Sequence, residues 1–304
     1  MVYAFAPPLP ADLKLPRADL RLATWLGVDW SMEKQNPARV KRLAAQLKAL
    51  VVDDVYAFVS YLTANDTFNP SYAFAPEFVA ALKQSAPGLR VLAWIGVPVS
   101  LSGSDTANRL ESAAIRKRIA DFCRFAVAEL GFDGVHLNAE LIADGDASFL
   151  ETLTAIGEAL PAGALFSATA HPLRLDETVT LMPYPHVRHH WSAAYLGRAA
   201  QHVDQLVLMA YDSGLVFPRD YISWVSYQAR RSQEAMRGLT AELIIGASVS
   251  AEWTASHQTQ AETLTFALAG IEAGMGERLD GIAFYPFWEL DKGVSKLISK
   301  KLGP

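Results

Sequence analysis

A single (β/α)8 TIM barrel is the fold class the sequence predicts, from three observations. Eight short apolar runs alternate with amphipathic helical stretches from one end of the chain to the other. The runs are almost continuously apolar, as strands of a parallel sheet covered by helices must be. Eight such units in 304 residues suit a closed barrel better than an open doubly wound sheet. No GxGxxG follows the first run and no GxxxxGK[ST] occurs, so dinucleotide and P-loop folds lack their fingerprints.

The expected strands cover residues 22–30, 54–62, 90–99, 132–140, 164–172, 204–212, 242–250 and 279–287. Between them lie helical patterns such as PARVKRLAAQLKALV, PEFVAALKQSA, DASFLETLTAIGEAL and ETLTFALAGIEAG. Asn36-Pro37, Pro76 and Asp146 supply start signals, while Pro87-Gly88 and Pro161 supply stops. With no linker and no low-complexity segment, one catalytic domain over residues 1–304 is expected, its Pro-rich residues 1–20 forming an N-terminal extension.

At 51% hydrophobic and 19% charged, with formal net charge -5, the composition is that of an ordinary globular domain. Basic residues form no stripe beyond short runs such as Arg116-Lys117-Arg118, which argues against a nucleic-acid partner. No apolar run reaches membrane-spanning length, so no membrane insertion is expected. The N-terminus lacks the basic-then-apolar order of a signal peptide. The compartment is therefore expected to be cytoplasmic, or secreted or periplasmic if a leader has been removed. Cys123 is the single cysteine, which excludes an intramolecular disulfide. It borders the helical stripe Ile119, Phe122, Ala126, Leu130 and reads as a packed small residue. No cofactor, no metal and no obligate protein partner are expected.

On this fold, function sits at the carboxyl ends of the strands. There the sequence gathers aromatic residues, carboxylates, an amide and a histidine: Trp30, Tyr61, Asn138, Glu140, His171, Tyr211, Asp212, Trp253, Tyr285 and Trp288. Aromatic faces around carboxylates suit a carbohydrate substrate, because the apolar face of a pyranose stacks on a ring. Trp191 is a further candidate for stacking, whereas Trp94 sits mid-strand and reads as core.

The stretch FDGVHLNAE, residues 132–140, is the most informative. Alternation places His136, Asn138 and Glu140 on one face and Val135, Leu137 and Ala139 on the other. Cleaving a glycosidic bond needs a general acid at the leaving oxygen. Glu140, at the strand tip, is placed for that role. Asn138 lies one side chain deeper, about 6 to 7 Å away by strand rise, and could hydrogen-bond a substrate group. His136 lies deeper still and could support the row from below.

This stretch resembles the DGxDxDxE strand of the family 18 glycoside hydrolases, the chitinases and endo-β-N-acetylglucosaminidases, with Asp133-Gly134 and Glu140 matching. VLMAYD resembles that family's M-x-Y-D strand end through Met209, Tyr211 and Asp212. DGIAFY, residues 280–285, resembles its eighth strand, which leads to an aromatic floor under the sugar. The resemblance implies a substrate-assisted retaining mechanism. In it the 2-acetamido oxygen attacks its own anomeric carbon to give an oxazolinium intermediate. Glu140 would serve as acid and then base, Tyr211 would bind the acetamido group, and Asp212 would lie close to the cleaved sugar. Two departures stand out. His136 and Asn138 replace both inner aspartates, leaving an Asn-x-Glu pair like that of the family 85 endo-β-N-acetylglucosaminidases. Tyr285 takes the place usually held by Trp, with Trp288 three residues later.

Two alternatives stay open. One is a retaining glycosidase using two carboxylates, Glu140 with Glu252 or Glu289. The other is a catalytically silent, chitinase-like sugar-binding protein. His186, His189 and His190 follow the fifth strand near His171, but their spacing matches no zinc pattern and they read as a polar surface loop. Ser248, Ser250 and His257 lack the GxSxG frame of a nucleophile elbow.

Overall fold

Eight parallel strands close on themselves in chain order: β1 (Arg21–Leu26), β2 (Asp54–Tyr61), β3 (Arg90–Pro98), β4 (Gly134–Glu140), β5 (Leu165–Ala170), β6 (Gln205–Met209), β7 (Glu242–Ser248) and β8 (Gly281–Tyr285). The ring is completed by β8 pairing with β1, in the register Arg21↔Gly281 to Thr24↔Phe284. The structure is a computed structural model of the chain and describes residue 15 and residues 20–100, 108–176, 189–276 and 279–302. Residues 1–14 and 16–19 of the expected extension, and His186, lie outside the described residues. A short helix α1 (Asp29–Met32) follows β1. The outer ring is α2 (Pro37–Ala49), α3 (Ala75–Ser85), α4 (Ala113–Ala128), α5 (Ala147–Ala159), α6 (Ala193–Ala200), α7 (Pro218–Ala235), α8 (Leu264–Gly274) and α9 (Lys292–Leu302). No described helix is long and apolar enough to cross a membrane.

Two of the predicted helix starts are side-chain caps, and Pro76 lies in the first turn of its helix without one. Asn36 accepts from the Ala38 amide, and Asp146 from the amides of Ser148 and Phe149. All the predicted strands except the fourth, which ends at Glu140 as expected, overrun their carboxyl ends, because apolar residues continue into loops that pack around the mouth. The largest overrun is at β1, which stops at Leu26, so Trp30 is not a strand tip. It sits on α1, its ring against Phe78 and under the Arg39 guanidinium.

Strand alternation sorts side chains into two cores. Outward residues such as Val55, Ile95, Leu137 and Ile245 pack against the helices, together with buried Cys123. Inward residues Trp25, Tyr56, Leu92, Val207 and Ile244 fill the barrel. A polar chain runs up the barrel axis beside them. Arg90 binds Asp54 and Glu242, Gln205 donates to both carboxylates, and Tyr56 and Ser167 donate to the Gln205 carbonyl. These buried groups are paired with one another, which is what burial of polar atoms requires.

One aspartate precedes each even-numbered strand and does the same job four times. Asp53, Asp133, Asp204 and Asp280 each accept, at 2.8 Å, the first free amide of the preceding odd strand: Leu22, Val91, Phe166 and Leu243. The glycines that follow two of them, Gly134 and Gly281, are required by close approach. A Cβ on Gly134 would lie 2.0 Å from the Leu165 carbonyl oxygen, and one on Gly281 would lie 2.6 Å from that of Arg21. Asp204→Ala is therefore expected to lower stability by about 1–3 kcal/mol, measured by urea unfolding, with ligand binding at the opposite end of the barrel unchanged.

Candidate active site

The carboxyl ends of the strands surround a cavity of about 460 Å³, within the usual ~300–1,000 Å³ range of ligand sites. Seven of the residues singled out from the sequence line it: Asn138, Glu140, His171, Met209, Tyr211, Asp212 and Tyr285. Strand β4 presents its polar row in order of depth. His136 is fully buried, Asn138 is half-buried, and Glu140 stands exposed at the tip.

Glu140 is held above its ordinary carboxylate range. Desolvation by the surrounding protein is the largest cause and the negative charge of Asp212 adds to it, while a hydrogen bond from Asn138 pulls the other way. The Asn138 amide is oriented by Thr169, whose hydroxyl donates to Oδ1 at 2.8 Å. That leaves the Asn138 NH2 to donate toward Glu140. It also leaves Oδ1 one lone pair for a further donor.

The Tyr211 ring stacks on Tyr285 with centroids 5.8 Å apart and planes 7° apart. Burial, then the charges of Glu140 and Asp212, push the Tyr211 hydroxyl well above its ordinary value. It therefore stays protonated at neutral pH and has a proton to donate to a ligand acceptor. Tyr285 meets Trp25 and Trp288 edge-on, at 5.7 and 5.5 Å, and these rings build an aromatic floor and rim.

His136 does not reach the cavity, contrary to the expected substrate contact. Trp25 Nε1 donates to its Nε2 at 3.1 Å, and its Nδ1 lies 2.8 Å from the Ser167 hydroxyl. An indole N–H can only donate, so Nε2 must accept and the proton resides on Nδ1. Ser167 passes the chain on to Gln205. Burial drives the His136 pKa down to about 3, so the ring is a neutral structural link and no proton relay. His171 is also neutral. Its Nε2 accepts the Ile142 amide at 3.0 Å, and burial, with His189 and His190 nearby, lowers it to about 3. A histidine held below its unfolded value favours the fold above the unfolded pKa and loses that contribution as pH falls. Both residues thus predict a loss of stability between about pH 6.5 and 3, measurable as a falling Tm. His136→Asn should flatten the slope.

Four other expected contacts lie outside the cavity lining. Trp30 is on α1, as described. Tyr61 is exposed at the end of β2, its hydroxyl accepting from Asn69. Trp253 is 63% exposed and donates to Gln258. Trp288 is 51% exposed and touches the site only through Tyr285. Trp191 is fully buried and bonds the Ile142 carbonyl. The carboxylates of the two-carboxylate alternative are also elsewhere. Glu252 is exposed, and Glu289 accepts from the Ser250 hydroxyl and Ala251 amide to join the loops after β7 and β8.

Several lining residues were not singled out from the sequence. Trp94, read as core, forms part of the wall, with its indole nitrogen buried and unpartnered among the described residues. Trp25 and Thr169 point inward near their strand ends, and inward parity was the signal for both. His189 and His190, read as a surface loop, also line the cavity, and the His189 Nδ1 is buried without a partner among the described residues. Behind Asp212 lie His257 and Glu262, whose ligand-type atoms gather with those of Asp212 within 4.8 Å. Nothing in their sequence spacing announces this, because long loops bring them together.

No protein-family model matches the chain, and no curated protein matches it. Solved structures do. The family GH18 chitinase of Cycas revoluta, in complex with allosamidin, is 14% identical with a TM-score of 0.62, over 93% of this chain and all (100%) of that one. A chitinase from Bacteroides thetaiotaomicron is 12% identical with a TM-score of 0.62, covering 93% of this chain and 97% of its own. The Bacillus cereus spore cortex-lytic enzyme SleL is 11% identical with a TM-score of 0.60, over 93% of this chain and 74% of that one. The closed eight-stranded barrel of this chain is thus the fold of the GH18 chitinases and of SleL.

Proposed function

We propose that the protein is a glycoside hydrolase acting on glycans that contain N-acetylhexosamine, by a substrate-assisted retaining mechanism. One observation carries this reading. A carboxyl held above its usual range, a fixed amide one step below it, and a tyrosine–aspartate pair all face one cavity over an aromatic floor. The solved structures that share the fold support it, since several are chitinases and two are complexes with (GlcNAc)3.

In this scheme a sugar stacks on the Tyr285 floor with its acetamido group toward Asn138 and Tyr211. The Tyr211 hydroxyl donates to the acetamido carbonyl and aligns that oxygen with the anomeric carbon. As the carbonyl oxygen attacks, Glu140 gives its proton to the glycosidic oxygen and the leaving sugar departs. The oxazolinium nitrogen carries developing positive charge, and its N–H is taken by the free lone pair of Asn138 Oδ1. Glu140, now a carboxylate, removes a proton from water, which opens the ring with retention. Asp212 adds negative charge beside the oxocarbenium-like centre. The two-carboxylate mechanism is less well supported, because neither Glu252 nor Glu289 lines the cavity.

The test is hydrolysis of chromogenic N-acetylglucosaminides and chito-oligosaccharides, with a thiazoline mimic of the oxazoline as inhibitor. Competitive inhibition by the thiazoline is expected. Turnover untouched by it, together with covalent labelling of Glu252 by a mechanism-based inactivator, would sink the proposal. Sugar binding without turnover, unaffected by Glu140→Gln, would make the protein a lectin instead.

A further inference from the structure

We propose that His257 is a positioning residue for this site: an imidazolium cation that holds the Asp212 carboxylate in the cavity wall and balances the charge felt by Glu140. The inference rests on the catalytic reading given above and adds a residue to it that does not touch the cavity.

His257 is 2% exposed, in the loop that follows β7. Its Nδ1 lies 3.2 Å from Glu262 Oε2 and 3.5 Å from Asp212 Oδ1, and its Nε2 lies 3.2 Å from the Ser250 carbonyl oxygen. Carboxylates and a carbonyl can only accept. A neutral imidazole has one N–H and would turn a lone pair on one of these oxygens, so the geometry points to a proton on each nitrogen. The surroundings agree: the bonds to Asp212 and then Glu262 raise the His257 pKa to about 10, against the opposing effect of burial.

Glu262 completes the device. It is 1% exposed, and its two oxygens accept from the Asp212, Ser213 and Gly214 amides and from the Ser213 hydroxyl. Asp212 needs that grip, because it sits at φ 56, a left-handed conformation that costs a non-glycine residue on the order of 1 kcal/mol. Among the described residues, Glu140, Tyr211 and Tyr285 face Asp212 from the cavity side. Tyr221 of α7 feels both carboxylates and keeps its hydroxyl on the Ala210 carbonyl. A divalent cation fits the same atoms less well, since it would need the Nδ1 lone pair and oxygens that already serve four donors.

Two carboxylates around one imidazolium, Glu262 buried and Asp212 open to the cavity side, leave the cluster with one net negative charge. Asp212 raises the Glu140 pKa, and the His257 cation opposes that effect. Glu140 must hold its proton to act as acid, so the alkaline limb of the kcat/KM profile follows it. In His257→Gln the limb should move to higher pH by roughly 0.5–1 unit. Turnover should fall about tenfold, as expected when a reacting group is displaced. His257→Lys, which restores the cation, should return the limb toward its original position. A merely structural role would not move the limb in these opposite senses.

The measurements are the three pH profiles, with 15N NMR of the imidazole ring and 13C NMR of the Glu140 carboxyl. Wild-type His257 should show N–H on both nitrogens up to about pH 9. A neutral ring at pH 7, or Zn2+ binding there with loss of the Nδ1 proton, would overturn the proposal. So would identical Glu140 titrations in wild type and His257→Gln. Should that variant fail to fold, Glu262→Gln provides the second route, because it must lower the His257 titration. Absence of hydrolysis by wild type would defeat the catalytic reading alone, and the NMR titrations would still decide the role of His257.

Discussion

Glu140→Gln is expected to lower kcat/KM on N-acetylglucosaminides by ~10³-fold, the middle of the range for losing a general acid. Glu140 stands at the exposed tip of β4, and no described side chain relies on its charge for packing. Stability should therefore change by less than about 0.5 kcal/mol. The neutral amide keeps the size of the side chain and can still meet the NH2 group of Asn138, so ligand affinity should survive. Initial rates, thermal unfolding and binding of chitobiose would separate these effects. Activity within tenfold of wild type would move the acid role to Asp212, the other carboxylate facing the cavity among the described residues. The pH dependence carries the same information. The Glu140 pKa is raised, so the acid form should persist above the usual carboxylate range, and activity should fall as pH rises through the elevated value. Asp212→Asn removes one of the causes of the elevation, and it should bring that fall to lower pH.

Asn138→Ala should cost ~10²–10³ in kcat, as removal of one stabilising partner of a charged intermediate commonly does. It removes the acceptor for the oxazolinium N–H and also strands the Thr169 hydroxyl, which keeps only a long contact of 3.4 Å to the Leu137 carbonyl. Asn138→Asp is the sharper variant. Thr169 can donate to a carboxylate as it does to the amide, so the geometry should hold. A second negative charge beside Glu140 should raise its pKa further and move the alkaline limb upward. Activity equal to or above wild type would mean that the amide is a handicap; activity far below it would mean that the site is tuned to Asn138. Single-turnover kinetics with and without the thiazoline would place the change on the oxazoline-forming step.

His136 shows how far a local reading of β4 could go. Alternation put it on the same face as Asn138 and Glu140, and that is where it lies. What alternation could not supply is the indole of Trp25 across the barrel, whose donor-only nitrogen makes His136 a neutral link. The DG pairs that carried part of the family resemblance turn out to be folding devices at the amino ends of β4 and β8. Asp133 and Asp280 cap neighbouring strands, and Gly134 and Gly281 make room for a backbone. In the proposed mechanism, the chemistry of the motif is confined to its last three residues.

The sequence by itself determined the barrel, its strand order and the carboxyl-end row Asn138, Glu140, Tyr211 and Asp212. Periodicity and strand parity are local properties, and they survive folding unchanged. Only the tertiary structure decided which aromatic rings reach the cavity. Trp94 and Trp25 do, while Trp30, Tyr61 and Trp253 do not. It also decided which groups gather behind Asp212, the carboxylate whose charge reaches Glu140. The His257–Glu262 pair is assembled by loops whose lengths follow no period, and its ionisation depends on partners far away in sequence. Electrostatics at the mouth is a property of distances across the barrel, and those exist only after the sheet has closed.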